Sequence, residues 1–407
     1  MASRPQVSRR AFLKGTAGAA GLAAFGMPAV NVLGANDTLR VGCIGTGGRC
    51  RHLMKSLAGI ANVRMTAVCD IFEDNLAAGR QLADPKAFVT KKYKDLLDRR
   101  DIDAVLIGSP DHWHVPMTID AIAAGKDVYV EKPLTHSLAE GKTVLEAQAK
   151  HKRVVQVGTQ QRSMPHIRKA YDIVQAGRLG TIHKVHLTWN RNTDRLRKAK
   201  PNPDFPKKVD WTAFLGNAPE QPLDEYRFRN WRWFWDFGGG LFTDLMVHWI
   251  DVAHWFLNLD HPSKAVSVGQ HTVSEGFWQT PDTVQTLLVY RKQNVQAHFE
   301  GTFFNAREGA HIVFMGSDAS LYIDRGRYEV QPERGRGKVE ELVLGTGPKG
   351  RDFYDKPDGE RLHLEDWVEA IRAGKDPSTP IQAGVSAASA AHLANQALHG
   401  NGVAIWK

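Results

Sequence analysis

Asp244, His248 and Asp251 recur at spacings of four and three residues in a stretch that reads as helix. Those spacings put all three on one helix face. The stretch opens on Phe237-Gly238-Gly239-Gly240, whose bare backbone lets another group approach closely. A carboxylate and an imidazole on one face suit proton transfer, because an imidazole titrates near neutral pH. Lys132, after a strand-like run and before Pro133, could add a cation for a developing alkoxide. Together they would serve hydride transfer from a carbinol carbon. His248 takes the hydroxyl proton, Lys132 steadies the oxygen, and Asp244 holds the substrate or orients the histidine. Asp251 and His254 read as structural. His248, Asp251 and His254 drift around the helix and no second cluster supports them, so no metal site is expected.

A hydride needs an acceptor. Leu39 to Ile44 reads as a buried strand, Gly45-Thr46-Gly47-Gly48-Arg49-Cys50 as a tight turn, and Arg51 to Ala61 as a helix. Strand, glycine turn and helix in that order cradle a pyrophosphate on free backbone N–H groups. Cys50 takes the place usual for a third glycine or alanine; it is small enough to keep helix and strand close. Val63 to Cys69 reads as the next strand and ends at Asp70, where a carboxylate meets ribose hydroxyls and repels a 2′-phosphate. The expected cofactor is therefore NAD. Two further strands, Ala104 to Ile107 and Asp127 to Val130, flank a helix over 115–124, which predicts a parallel sheet with crossover helices.

The second of these strands ends in Glu131-Lys132-Pro133, and the first leads into Ser109-Pro110-Asp111-His112-Trp113-His114. With the glycine turn, the Ala124 to Pro133 run and Gln156 to Arg162, the chain resembles the Gfo/Idh/MocA oxidoreductases across nearly all of its mature length. The resemblance implies an N-terminal Rossmann doubly wound parallel sheet and a C-terminal α+β domain with an open, mostly antiparallel sheet. Strand-like runs at 183–190, 265–270, 283–290, 296–302 and 311–316 fit the latter. It implies cofactor contacts from Gly45, Thr46, Gly47, Gly48, Arg49 and Asp70, and also from Ser109, Pro110, His114, Glu131, Lys132 and Gln160. It assigns Lys132, Asp244 and His248 to catalysis.

Tyr226 to Trp235 interleaves three arginines with six aromatics, a poor composition for a core. Trp231, Arg232 and Trp233 are read there as a sugar pocket wall, with Arg162 and Asn190 as further substrate contacts. The expected domains are a signal over 1–35, an NAD-binding domain over 36–158, and a substrate-binding and oligomerisation domain over 159–407. The signal is read from Ser8-Arg9-Arg10-Ala11-Phe12-Leu13-Lys14 and the small apolar run behind it, which resemble a twin-arginine export signal. This implies a periplasmic or exported protein without stable membrane insertion.

The 407 residues suit two domains, and 24% charged residues suit a globular protein. Part of the +9 charge sits in Arg4, Arg9, Arg10 and Lys14, and nucleic acid is not an expected partner. The basic run from Arg191 to Lys208 reads as a solvated loop. Cys43, Cys50 and Cys69 read as buried small side chains. The expected protein is an NAD-dependent oxidoreductase of a sugar or sugar-derived alcohol, a dimer or tetramer with tightly held cofactor. The alternatives are a redox-neutral NAD-dependent glycoside hydrolase and a non-enzymatic sugar or nucleotide sensor.

Overall fold

The computed structural model describes residues 37–192, 196, 202–335, 337–344 and 358–406. The signal-like segment and most of the basic run after Asn192 lie outside the described residues.

Six strands form one parallel sheet: β1 (Leu39–Ile44), β2 (Val63–Cys69), β3 (Phe88–Thr90), β4 (Ala104–Ile107), β5 (Asp127–Val130) and β6 (Val155–Val157). Their spatial order is β3-β2-β1-β4-β5-β6. β4 and β5 are buried at every residue, as a sheet covered on both faces requires. The strand order reverses direction between β1 and β4, which opens a crevice beyond their carboxyl ends. Helix α1 (Gly48–Leu57) starts inside the glycine turn, earlier than the expected Arg51, with Gly47 as its cap. Helix α2 (Asp111–Ala123) also begins a turn earlier than expected, directly after Pro110.

Cys50 has a physical reason for its size. It is fully buried in α1, and a Cβ placed on Gly108 would sit 2.7 Å from its own Cβ. Helix and strand end meet there with room for one small side chain.

The second sheet has nine strands: β7 (Lys184–Asn190), β8 (Lys264–Gln270), β9 (Thr283–Tyr290), β10 (Val295–Thr302), β11 (Ala310–Met315), β12 (Ala319–Asp324), β13 (Arg327–Pro332), β14 (Glu340–Val343) and β15 (Val403–Ile405). Their order is β14-β13-β12-β11-β7-β10-β9-β8-β15, antiparallel except where β10 runs beside β7. β9 and β10 alternate buried and accessible residues along most of their length, so one face carries the core. Helix α3 (Val247–Leu257) belongs to that core through Trp249, Ile250 and Phe256. A five-residue π-helical turn, Phe242–Met246, leads into it.

All strands of the first sheet precede residue 158, but the chain later returns to it. Helix α4 (Gly359–Ala373) lays Leu364, Trp367, Val368 and Ile371 into the cluster of Leu39, Val41, Leu53 and Leu57. The Trp367 ring lies edge-on to Tyr129, 5.7 Å between centroids. Helix α5 (Ile381–His399) packs its buried alanines against the second sheet's core. The two sheets are thus tied by helices that follow every strand but β15 in sequence.

Replacing Trp367 with alanine should cost about 3–5 kcal/mol, the usual penalty for emptying a large buried aromatic site. Denaturant unfolding would read it; an unchanged midpoint would mean that α4 does not belong to the first sheet's core.

Candidate active site

At the crevice, Gly45 takes φ +74°, and a Cβ on it would lie 2.7 Å from the Ser109 nitrogen. Only glycine lets the β1 turn pass so close to the β4 turn. Cβ atoms on Gly47 and Gly48 would meet no protein atom closer than 3.8 Å. That open space, in front of the first N–H groups of α1, belongs to a ligand. It continues into a cavity of about 420 Å³ lined by Gly45, Gly48, Arg49, Asp70, Ser109 and Pro110. Phe214, Phe228, Trp231 and Arg232 close it from the other side.

Asp70 is almost fully buried and accepts the Phe72 N–H at 2.8 Å. Burial pushes its carboxyl up to about 6, against the pull of the Phe72 N–H and of Arg51. Hydroxyl donors would relieve that desolvation. A buried acid at the end of β2 and an anion-ready helix start at the end of β1 fit a dinucleotide with a free ribose.

The walls are braced by side chains that hold one another. Thr46 is fully buried, and its hydroxyl donates to the Asn75 carbonyl at 3.0 Å. Its side chain is thus a brace, and only its backbone is left for a cofactor. His114 also points inward, its two ring nitrogens 2.6 Å from the Pro133 carbonyl and 2.9 Å from that of Ser109. It joins the two loops that carry Ser109 and Lys132. Arg49 donates to Glu131 at 2.8 Å and to both oxygens of Glu360 at 2.8 Å. Gln160 donates to Glu131 and to the Tyr129 hydroxyl, each at 3.2 Å. Burial pushes Glu360 up to about 7, opposed by Arg49.

A second cavity, of about 240 Å³, adjoins the first and shares Arg49 and Arg232 with it. Lys132, Asp244 and His248 all line it. The Lys132 ammonium donates to the Asp244 carbonyl at 2.7 Å and to its Oδ1 at 3.1 Å. The Arg232 Nε donates to the same Oδ1 at 3.1 Å. Asp244 sits in the π-turn, where the Val247 N–H reaches back to the Phe242 carbonyl. Such wide turns occur often at functional sites. Burial, then the neighbouring Lys132 and Arg325 cations, pushes the His248 imidazole well below its usual range, so it is neutral at physiological pH. It lies against the Trp189 ring, 5.0 Å between centroids. A fixed ammonium beside a neutral imidazole can steady an oxygen and take its proton.

Other expected substrate contacts are placed elsewhere. Arg162 is buried and forks onto both oxygens of Asp251, at 2.8 and 2.7 Å. Asp251, with both oxygens held by Arg162, does not line the cavity that Asp244 and His248 share. Asn190 donates to the Arg307 carbonyl at 3.0 Å, at the end of β7. Trp233 stacks on Trp278 in the core, 4.4 Å between centroids. The aromatic and arginine segment is therefore not one sugar wall. Trp231 and Arg232 line the first cavity, Arg232 alone reaches the second, and Arg227, Arg229 and Arg232 lie over aromatic rings.

His254 is occupied by the Ser386 and Tyr290 hydroxyls, each at 2.7 Å. Among the described residues no three potential ligands converge on a metal position.

Several residues at the site escaped the sequence reading, among them Trp189 and Arg191, which line the smaller cavity although Arg191 was expected to open a solvated loop. Asp111 lies buried behind it and is pushed up to about 8 by burial; its place in the Ser109 to His114 loop was the available signal. Glu360 and Arg325 come from far along the chain, with no local motif to mark them.

Fold and site together define an NAD-binding oxidoreductase. Residues 39–159 match the oxidoreductase family with NAD-binding Rossmann fold, and residues 208–322 match the GFO/IDH/MocA C-terminal domain. These matches span more than half of the chain, which belongs to the Gfo/Idh/MocA family. It is 27% identical to the uncharacterized oxidoreductase YrbE of Bacillus subtilis, over 88% of this chain and 93% of that one. It is 27% identical to inositol 2-dehydrogenase of Gluconacetobacter diazotrophicus, over 68% and 70%. A levoglucosan dehydrogenase solved with NADH and levoglucosan superposes with a TM-score of 0.68 at 20% identity, covering 89% of this chain and 96% of that one. A shorter stretch is 36% identical to a glycosyl hydrolase family 109 protein of Shewanella pealeana, over 26% of this chain and 25% of that one.

NADH affinity should fall as pH drops through about 6, by up to about tenfold per pH unit, because the ribose hydroxyls donate to the ionised Asp70. Asp70→Asn should weaken binding and flatten the profile. Fluorescence titration reads both, and a flat wild-type profile would contradict the assignment.

Proposed function

We propose that the protein moves a hydride between NAD and a carbinol carbon of a sugar or cyclic polyol. The observation that carries this is the Lys132 ammonium, held by Asp244 beside a neutral imidazole in the smaller cavity, which adjoins the cofactor cavity through Arg49 and Arg232. NAD supplies the hydride acceptor. His248 takes the hydroxyl proton, for which its neutral form is required. Lys132 faces the oxygen as charge develops there. Asp244 and Arg232 hold that ammonium in place. The compounds named for the similar dehydrogenases, inositol and levoglucosan, belong to the same class of hydroxylated rings. A sensor would have no use for this ammonium and imidazole arrangement.

The twin-arginine-like start supports export, and export favours a cofactor that stays bound and is recycled in place. The open face of the second sheet, with Val266 and Val268 accessible, supports assembly of copies through that face. A second reading, redox-neutral glycoside cleavage, is favoured by the short but closer similarity to the glycosyl hydrolase family 109 protein.

Purified protein should be given free sugars, cyclitols and nitrophenyl glycosides, with and without added NAD. NADH formation from a free ring alcohol, without aglycone release, is the expected result. Aglycone release with no net NADH would overturn it in favour of the hydrolase. The acidic limb of kcat should lie below pH 6.5, because His248 is held neutral there.

A further inference from the structure

We propose that residues 205–229 form the second half of the dinucleotide site, a strap over bound NAD that must lift before the cofactor can load or leave. This rests on the NAD oxidoreductase reading above and names what holds the cofactor in place. The segment follows β7 in sequence, yet it is fastened to the first sheet at two points. One fastening is the loop after β2, just beyond Asp70. Phe72 and Val209 form an isolated antiparallel bridge, and the Asp210 N–H donates to the Ile71 carbonyl at 3.1 Å. The Lys208 ammonium donates to Asp74 at 2.9 Å. The Phe72 ring lies 5.5 Å from that of Phe205 and 5.4 Å from that of Phe228, between centroids. The Arg229 guanidinium lies over both Phe72 and Phe205.

The other fastening is the start of α2, after β4. The Phe214 carbonyl lies 2.8 Å from the His112 Nε2 and accepts the Trp113 indole N–H at 2.9 Å. Gly216, at φ +57°, packs against the Trp113 ring with no room for a Cβ. In the sheet, β1 lies between β2 and β4. A segment tied beyond both neighbours therefore passes in front of the β1 glycine turn. Ala213, Phe214, Phe228 and Arg229 line the cofactor cavity opposite Asp70 and Ser109. Phe205 does not line it; like Phe214 it is almost wholly buried and anchors the strap. Lifting the strap bares both rings and breaks the backbone pairing in the same event, so open states are sparsely populated. A ligand beneath such a cover exchanges at the rate of opening.

The test follows the bound dinucleotide. Protein loaded with NAD is mixed with excess isotope-labelled NAD, and mass spectrometry of the bound cofactor gives the exchange rate. Phe205→Ala loosens an anchor outside the cavity. It should speed uptake and release alike, each at least about tenfold, with a smaller change in affinity, because one opening step enters both rates. In a second variant, Asp74→Cys with Lys208→Cys, the two thiols are joined after loading by a short, reducible bismaleimide. Release should then fall at least about tenfold and recover when the linker is reduced. Should Phe205→Ala fail to fold, the cross-linked protein decides alone. Equal exchange in the wild type and both variants would overturn the strap and leave the NAD reading standing. So would faster release from Phe205→Ala with unchanged uptake, the mark of a lost contact. Wild-type protein that takes up no NAD would overturn the cofactor reading, and the strap with it.

Discussion

The contact between the Lys132 ammonium and Asp244 crosses the joint between the two sheets. Lys132 leaves the carboxyl end of β5, while Asp244 hangs in the π-turn before α3. Both side chains are about one-tenth exposed, so neither charge is well solvated alone. Removing Asp244 leaves the ammonium partly buried without its carboxylate, which costs more than the pair contributes, whereas without Lys132 the carboxylate keeps Arg232. The contact therefore fixes the ammonium and registers the second sheet against the first. The reacting oxygen can be placed only where both halves agree.

The cofactor side depends on a different constraint, backbone proximity. Gly45 passes against Ser109, and Gly108 packs against Cys50, so β1, β4 and α1 meet at distances that no larger residue permits. Behind this turn, Arg49 links Glu131, the neighbour of Lys132, to Glu360 at the start of α4. One arginine thus joins the glycine turn, the lysine loop and the helix that returns from the far end of the chain. The cofactor groove and the reactive cavity are mechanically one unit.

Much of this was legible in the sequence because it is local. The glycine turn, Asp70 at a strand end, and Lys132 between a buried strand and a proline are short-range patterns with short-range causes. Asp244 and His248 could be paired from helical spacing. Asp251 and His254 could be set apart as structural, but not their partners, since Arg162 and Tyr290 approach from other elements. Thr46 and His114 belong to the right loops but turn inward, an orientation decided by the Asn75, Ser109 and Pro133 carbonyls. Trp233 and Arg232 are adjacent in sequence, yet one is core and the other lines both cavities. Composition could not divide them, because the short helical turns of that segment aim neighbours in different directions. Glu360 and Arg325 were invisible for want of any local pattern.

The most direct measurement of the central claim is Lys132→Met, assayed for turnover and for NADH binding in the same preparation. The ammonium acts on the reacting oxygen and not on the dinucleotide. Turnover should fall at least about a hundredfold, with NADH affinity kept within about twofold. Turnover close to wild type would contradict the account; so would loss of NADH binding in parallel with activity.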